Sequence, residues 1–305
     1  MVPPKNSRRI RVATYNIHKG VIRDFFGLKR SSRIYDLRSR LHELDADLIF
    51  LQEVQGRNDR HSERLQNWPS EPQHQFLAKT AKRVYENVYG PNANYLHGHH
   101  GNALLSRFAV LKEENRDVSD HALEKRGVLH CVVAVGASPV HCFVVHFGLL
   151  ARSRSRQTQA LIAWIKKSVP DNEALVIAGD FNDWRNRLSD KLCSSVGVQE
   201  VFQADQALRL PRVQATRDAV HGAAQKMVYF VRDKLDGMGV SLDKERFRIP
   251  RTVKTARTFP AIAPWLQMDR IYVRGLKVES VKVLRGAEWA RLSDHSPLVA
   301  DLILV

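Results

Sequence analysis

Short runs of Val, Ile, Leu and Phe recur along this chain, and many of them end on a single acid, amide or imidazole. Runs of that length read as buried strands that carry a polar group to a sheet edge. They fall at about residues 11–17, 47–52, 102–106, 128–135, 140–147, 174–178, 270–273, 277–284 and 296–304. Apolar residues at helical spacing are clearest over residues 33–44 and 156–167, each segment lying between two strands. Strands mixed with interposed helices predict an α/β or α+β domain of layered sheets. No internal repeat or low-complexity tract appears, so solenoids and disordered linkers are set aside.

At 305 residues and 44% hydrophobic, the chain can bury its core as one large domain or two small ones. The polar residues that end the runs extend from Asn16 to His295, and only one fold would gather them, so a single domain over 1–305 is expected. A stretch at about 205–258 reads as an insertion. There Val213, Val220, Ala223, Met227, Phe230 and Val231 keep helical spacing, and Lys244, Arg246, Arg248, Arg251, Lys254 and Arg257 follow. The pattern suits a partly helical amphipathic element with a solvated basic loop, or a basic flap that grips an extended anionic substrate or rests on a membrane.

Charge narrows the partners without choosing among them. Lys and Arg number 48 against 32 Asp and Glu, a formal net charge of +16. Such a field draws nucleic acid, anionic lipid headgroups and phosphorylated small molecules alike. The odd trio Cys131, Cys142 and Cys193 has no paired spacing, which argues against a disulfide framework or a zinc site and for a reducing compartment. The opening residues lack the apolar stretch of a secretory signal, and no run of about 18 apolar residues suggests a membrane span. A cytoplasmic protein is expected, with peripheral attachment to the inner membrane surface as the alternative.

The polar residues have the chemistry of metal-assisted phosphoryl transfer. Asn16, Glu53 and Asp294 offer the oxygens that a hard cation such as Mg²⁺ prefers, with Mn²⁺ as a substitute. Asp180 and Asn182 leave a strand at Gly179-Asp180-Phe181-Asn182, where a carboxylate orients water and an amide donates to phosphoryl oxygens. His295, with Asp269 as hydrogen-bond partner, and His146, at the end of Cys142-Phe-Val-Val-His146, supply imidazoles for charge stabilisation and proton transfer. The loop histidines His97, His99 and His100, without acids nearby, read as exposed.

Taken in order, Tyr15-Asn16-Ile17-His18, Leu51-Gln52-Glu53-Val54, Gly101-Asn102-Ala-Leu-Leu-Ser-Arg107, Val145-His146-Phe147, Gly179-Asp180-Phe181-Asn182, Met268-Asp269-Arg270 and Ser293-Asp294-His295 resemble the endonuclease/exonuclease/phosphatase superfamily. The resemblance spans nearly the whole chain, and the sequence looks most like the small bacterial members. It implies a four-layer sandwich of two packed mixed β-sheets flanked by helices, and Mg²⁺-dependent phosphoester hydrolysis. It also implies Glu53 as the main metal ligand with Asn16 and Asp294 beside it, Asp180, Asn182, His146, Asp269 and His295 as catalytic residues, and Lys19, Asn102 and Arg152 on the substrate side. Arg154 and Arg156 extend that rim, whereas Arg107 reads as structural. A nuclease or phosphodiesterase acting on nucleic acid is the leading expectation; a phospholipid or phosphoinositide phosphoesterase and a non-catalytic binding module are the alternatives.

Overall fold

A computed structural model describes residues 9–23, 30–81, 83–121, 124–205 and 256–305. Nearly all of the basic insertion expected at about 205–258 lies outside the described residues. The fold below is that of the compact unit that joins the chain up to Phe202 to the chain from Ala256 onward.

Two six-stranded mixed sheets form its centre. The first runs in the order β15 (Leu276–Val283), β16 (Leu298–Leu304), β1 (Arg9–Asn16), β4 (Leu48–Asn58), β8 (Gly98–Ser106) and β7 (Glu86–Tyr95). The second runs β13 (Gln199–Glu200), β14 (Asp269–Arg274), β12 (Ala174–Asp180), β11 (Ser138–His146), β10 (Gly127–Val135) and β9 (Val110–Asp117). Two small ribbons, β2 (Val21–Arg23) with β3 (Arg30–Ser32) and β5 (Lys79–Thr80) with β6 (Arg83–Val84), lie outside them. Each large sheet has one parallel pair: β1 with β4, joined through helix α1 (Ile34–Glu43), and β11 with β12, joined through helix α4 (Ala151–Ser168); the short helices α2 (Asp59–Arg64) and α3 (Gln73–Ala78) fall between β4 and β5.

These crossovers explain the clearest signals in the sequence. Central parallel strands are covered on both faces and so read as unbroken apolar runs; every residue of β12 is buried. Helix α1 turns Ile34, Leu37 and Leu41 onto one sheet, and α4 turns Leu161, Ile162 and Ile165 onto the other. A fully buried side chain of this size contributes roughly 1.5–3 kcal/mol. The result is the expected four-layer arrangement, helix, sheet, sheet, helix. No helix among the described residues is long and apolar enough to cross a membrane.

Several boundaries differ from the sequence reading. Helix α4 begins at Ala151, a turn before residue 156, because its first turns bury Ser153, Arg154, Gln157 and Thr158 and therefore show no apolar period. Strands β7 and β9 escape a hydrophobicity reading because they are sheet edges with many exposed polar positions. Cys131 and Cys142 are buried cross-strand neighbours on β10 and β11, and both are free thiols.

Asn102 is fully buried on β8, and its Nδ2 donates to the carbonyls of Gly127 (2.9 Å) and Val144 (3.3 Å) on the opposite sheet. The amide expected on the substrate side is therefore spent on fastening sheet to sheet. Arg107 is structural, as expected: it pairs with Asp45 and, at 3.0 Å, with Asp47. Away from the strand ends, His130 stacks on Phe143 at 4.1 Å and its Nε2 lies 2.9 Å from His141 Nδ1.

Two outcomes follow from these buried polar groups. Asn102→Ala removes both donors of this tie and should lower the unfolding free energy by about 1–3 kcal/mol, read from the urea midpoint; a wild-type midpoint would contradict the tie. Burial, reinforced by His141, pushes the His130 pKa down to about 4. The unfolded chain takes up that proton near pH 6.5, so between these values the unfolded state holds more protons and stability falls as pH drops. The loss should reach on the order of 2–3 kcal/mol, and His130→Gln should flatten that part of the pH–stability curve.

Candidate active site

Three neighbouring strands bring their ends to one level. In the second sheet His146 of β11 pairs in register with Asp180 of β12, and Asp180 pairs with Asp269 of β14. Gly179 permits the exit: its φ is +150°, and a Cβ there would sit 1.9 Å from the Val145 carbonyl oxygen. From the first sheet, Asn16 at the end of β1 reaches across, its Nδ2 donating to Asp180 Oδ2 at 3.2 Å and to Glu53 Oε1 at 3.4 Å. Residues far apart in sequence thus share one cleft.

Glu53 does not end a strand, contrary to the sequence reading. Strand β4 continues to Asn58, and Glu53 sits where the pairing with β8 slips between Leu51 and Val54, with φ +57°. A bulge of this kind turns one side chain out of the alternation, and here it sends the carboxylate toward Asn16. Around it lie Lys19 Nζ at 3.5 Å and His18 Nδ1 at 4.0 Å, while the same His18 nitrogen is 3.3 Å from Asp294 Oδ2.

The charges of this cleft are set by burial and by one another. Burial alone would raise the Glu53 carboxyl, but His146, Lys19 and His18 pull it down to about 2. Burial drives the His146 imidazole well below its usual value, with Arg126 adding to the effect, so the ring is neutral. With His146 neutral, Lys19 is the lasting positive charge beside Glu53, 3.5 Å away. Burial likewise opposes protonation of His295, yet Asp269 and Asp180 outweigh it and push that imidazole up to about 10. His295 Nδ1 donates to Asp269 Oδ2 at 2.8 Å, and its Nε2 lies 3.7 Å from Asp180 Oδ2. His146 Nε2 stands at the same 3.7 Å from that oxygen. Burial raises Asp180 itself to about 6, with the charge of His295 acting against the rise.

Asn182, with φ +50°, donates its backbone N–H to Asp180 Oδ1 at 2.9 Å and its side-chain amide to the Phe147 carbonyl at 2.9 Å. One amide hydrogen is left to meet a ligand. Arg152 is exposed on α4, and among the described residues no hydrogen bond or ion pair joins it to the cleft. Arg154 donates to the Gly148 and Leu149 carbonyls, and Arg156 pairs with Asp120, so both are structural. His18 and His100 are additions. His99 and His100 belong to β8 and are half-buried rather than loop residues, because the strand extends back to Gly98 opposite Asn58. Burial and Lys19 lower His100 to about 4, Glu53 acting against them, which places that ring on the cleft side. Its signal in the sequence was the period-two step from His100 to Asn102, two residues on one face of β8.

A model of the endonuclease/exonuclease/phosphatase family matches residues 13–295. Protein YbhP of Escherichia coli (strain K12) is 35% identical over 296 residues, covering 96% of each chain. The chain belongs to the endonuclease/exonuclease/phosphatase family. Among solved structures, a family protein from Bacteroides vulgatus superposes with TM-score 0.63 at 15% identity over 97% of this chain and 99% of that one. TDP2 of D. rerio, solved with a single-strand DNA product, superposes with TM-score 0.58 at 14% identity over 96% and 98%. These likenesses show the fold, a deoxyribonuclease I-like α/β sandwich. Family membership supports phosphoester hydrolysis as the class of activity.

Members of this family are typically metal-dependent, and the residues present fit a hard cation. Asp180, Asp269 and His295 each bring a potential ligand atom within 4.8 Å of the others. A His295 ring that is protonated and donating to Asp269 has no lone pair to give, so that trio is an ion-pair system. Glu53, Asn16 and Asp294 offer oxygens instead, and a single His18 nitrogen lies close to both Glu53 and Asp294, marking where positive charge is favoured between them.

Asp269→Asn removes the anion that holds the His295 proton. The His295 titration should then fall from about 10 toward the ordinary imidazole range, as read by histidine NMR. An unchanged titration would show that Asp269 does not set the charge of this ring.

Proposed function

We propose that this protein hydrolyses phosphodiesters with the help of a divalent cation, Mg²⁺ by preference and Mn²⁺ as a substitute, held by Glu53, Asn16 and Asp294. The observation that carries the reading is one buried carboxylate, Asp180, with two imidazoles each 3.7 Å away, His295 tied to Asp269 at 2.8 Å and driven toward the cation, His146 driven toward the neutral ring. Groups whose surroundings drive their protonation apart can divide acid and base work between them. The bound cation would neutralise phosphate charge and make a water more acidic.

The roles follow from position. Asp180, the carboxylate at the centre of the cleft, orients the attacking water and takes its proton as oxygen bonds to phosphorus. His295 holds its proton against Asp269 and gives it to the leaving oxygen as the ester bond breaks. His146 and Asn182 donate to phosphoryl oxygens as negative charge grows on them. Lys19 neutralises the entrance to the site. The net charge of +16 supports a polyanionic partner, and the DNA-bound TDP2 neighbour supports nucleic acid as one such partner.

Glu53→Ala and His295→Ala should each lower Mg²⁺-dependent turnover of bis(p-nitrophenyl) phosphate by ~10² or more. Chelation with EDTA should abolish turnover, and Mn²⁺ should restore it. Wild-type rates in either variant, or in EDTA, would overturn the assignment.

A further inference from the structure

Five of the eleven large hydrophobic residues exposed among the described residues lie next to the catalytic strand ends. Leu149 and Leu150, each 59% exposed, follow His146; Trp184, 40% exposed, follows Asp180; Ile262 and Trp265, 84% and 64% exposed, precede Asp269. Scattered exposed apolar residues are ordinary, whereas a grouped set marks an interaction surface.

These residues are joined through a few contacts. Arg154 donates to the Leu149 carbonyl and lays its guanidinium 4.9 Å from the ring of Trp184. Arg270 links the next two segments, donating to the Asp183 carbonyl at 2.9 Å and to Gln267 Oε1 at 3.4 Å. Ala261 N–H donates to the Asp294 carbonyl at 2.7 Å, which holds the segment carrying Ile262 against the cleft. The three segments that carry these side chains are therefore tied into one rim.

We propose that this rim docks on an anionic phospholipid bilayer and that the phosphoester entering the cleft belongs to a lipid headgroup, the second part resting on the hydrolase reading above. Three of the five side chains are aliphatic, and aliphatic groups gain nothing by stacking on nucleic-acid bases but a good deal by entering an acyl layer. One face of Trp184 is already covered by Arg154. Tryptophan beside exposed arginine is the composition of a membrane–water interface. Arg152, Arg185 and Arg187 are exposed beside Leu150 and Trp184 and make no ion pair among the described residues, so their charge is available to anionic headgroups.

The test uses the full chain in EDTA with vesicles of phosphatidylglycerol and phosphatidylcholine, and with vesicles of phosphatidylcholine alone. The protein should sediment with the anionic vesicles at least tenfold more than with the neutral ones, and brominated acyl chains should quench its tryptophan emission. The double variant Ile262→Ser, Trp265→Ser should keep the wild-type thermal midpoint and lose most of the sedimenting fraction; Arg185→Glu with Arg187→Glu should do the same. A protein that stays in the supernatant, variants that sediment as wild type does, or tryptophan emission that responds to single-stranded oligonucleotide but not to vesicles would overturn the proposal. The chelator removes hydrolysis from these measurements, so they read docking alone; vesicle binding here together with no cleavage of any phosphoester, headgroup or soluble, when Mg²⁺ is supplied would sink the hydrolase reading and leave the docking surface standing.

Discussion

A carboxylate buried at the seam between two sheets is the constraint on which this structure depends. Asp180 is 2% exposed, and an isolated ion there would be strongly unfavourable. It is tolerated because its surroundings come from both halves of the sandwich: an amide from β1, a backbone N–H from its own exit turn, and a cationic imidazole backed by Asp269. None of these partners is local except the turn. The two sheets must pack at one separation and each strand must keep its register, since a slip of one residue would turn the side chain to the other face.

The same cleft also gathers backbone strain. His18, Lys19, Glu53 and Asn182 have φ values of 46°, 61°, 57° and 50°, four of the seven non-glycine residues with positive φ among those described. Left-handed backbone at such residues costs on the order of 1–3 kcal/mol each and persists only where the surroundings over-determine it. Here the hydrogen bonds show what does so. Asn16 Oδ1 accepts the His18 N–H, Gln73 donates to the Lys19 carbonyl, and Asn182 is held by both Asp180 and Phe147. The strain serves to aim polar side chains inward from strands whose alternation would otherwise point them elsewhere.

What could be read from the sequence followed from this physics. The central strands β1, β11 and β12 are covered on both faces, so their runs of Val, Ile and Ala stood out, and their last residues, Asn16, His146 and Asp180, were legible as site candidates. The edges β7 and β9 were not, because exposed positions carry no hydrophobic period. The bulge at Glu53 was hidden, since nothing in Leu51-Gln52-Glu53-Val54 announces that one residue will be left out of the pairing. His18 and His100 escaped for a different reason: each gains meaning only from carboxylates contributed by other strands, and a single histidine in a polar stretch looks solvated.

Motif order and chemical role also separate in this fold. Gly101-Asn102-Ala-Leu-Leu-Ser-Arg107 belongs to the same ordered series as the segments that line the cleft, yet Asn102 ties the sheets together and Arg107 binds Asp45 and Asp47 at the opposite edge. There Asp47 also accepts the Arg11 N–H at 2.8 Å, which fixes the start of β1 against the start of β4. Fixing one end of a strand fixes the other, so these contacts reach the cleft through the rigidity of β1 and β4 rather than by touching a ligand. A site assembled from strand ends needs both kinds of residue, those that face the cleft and those that hold the register, and only side-chain geometry tells them apart.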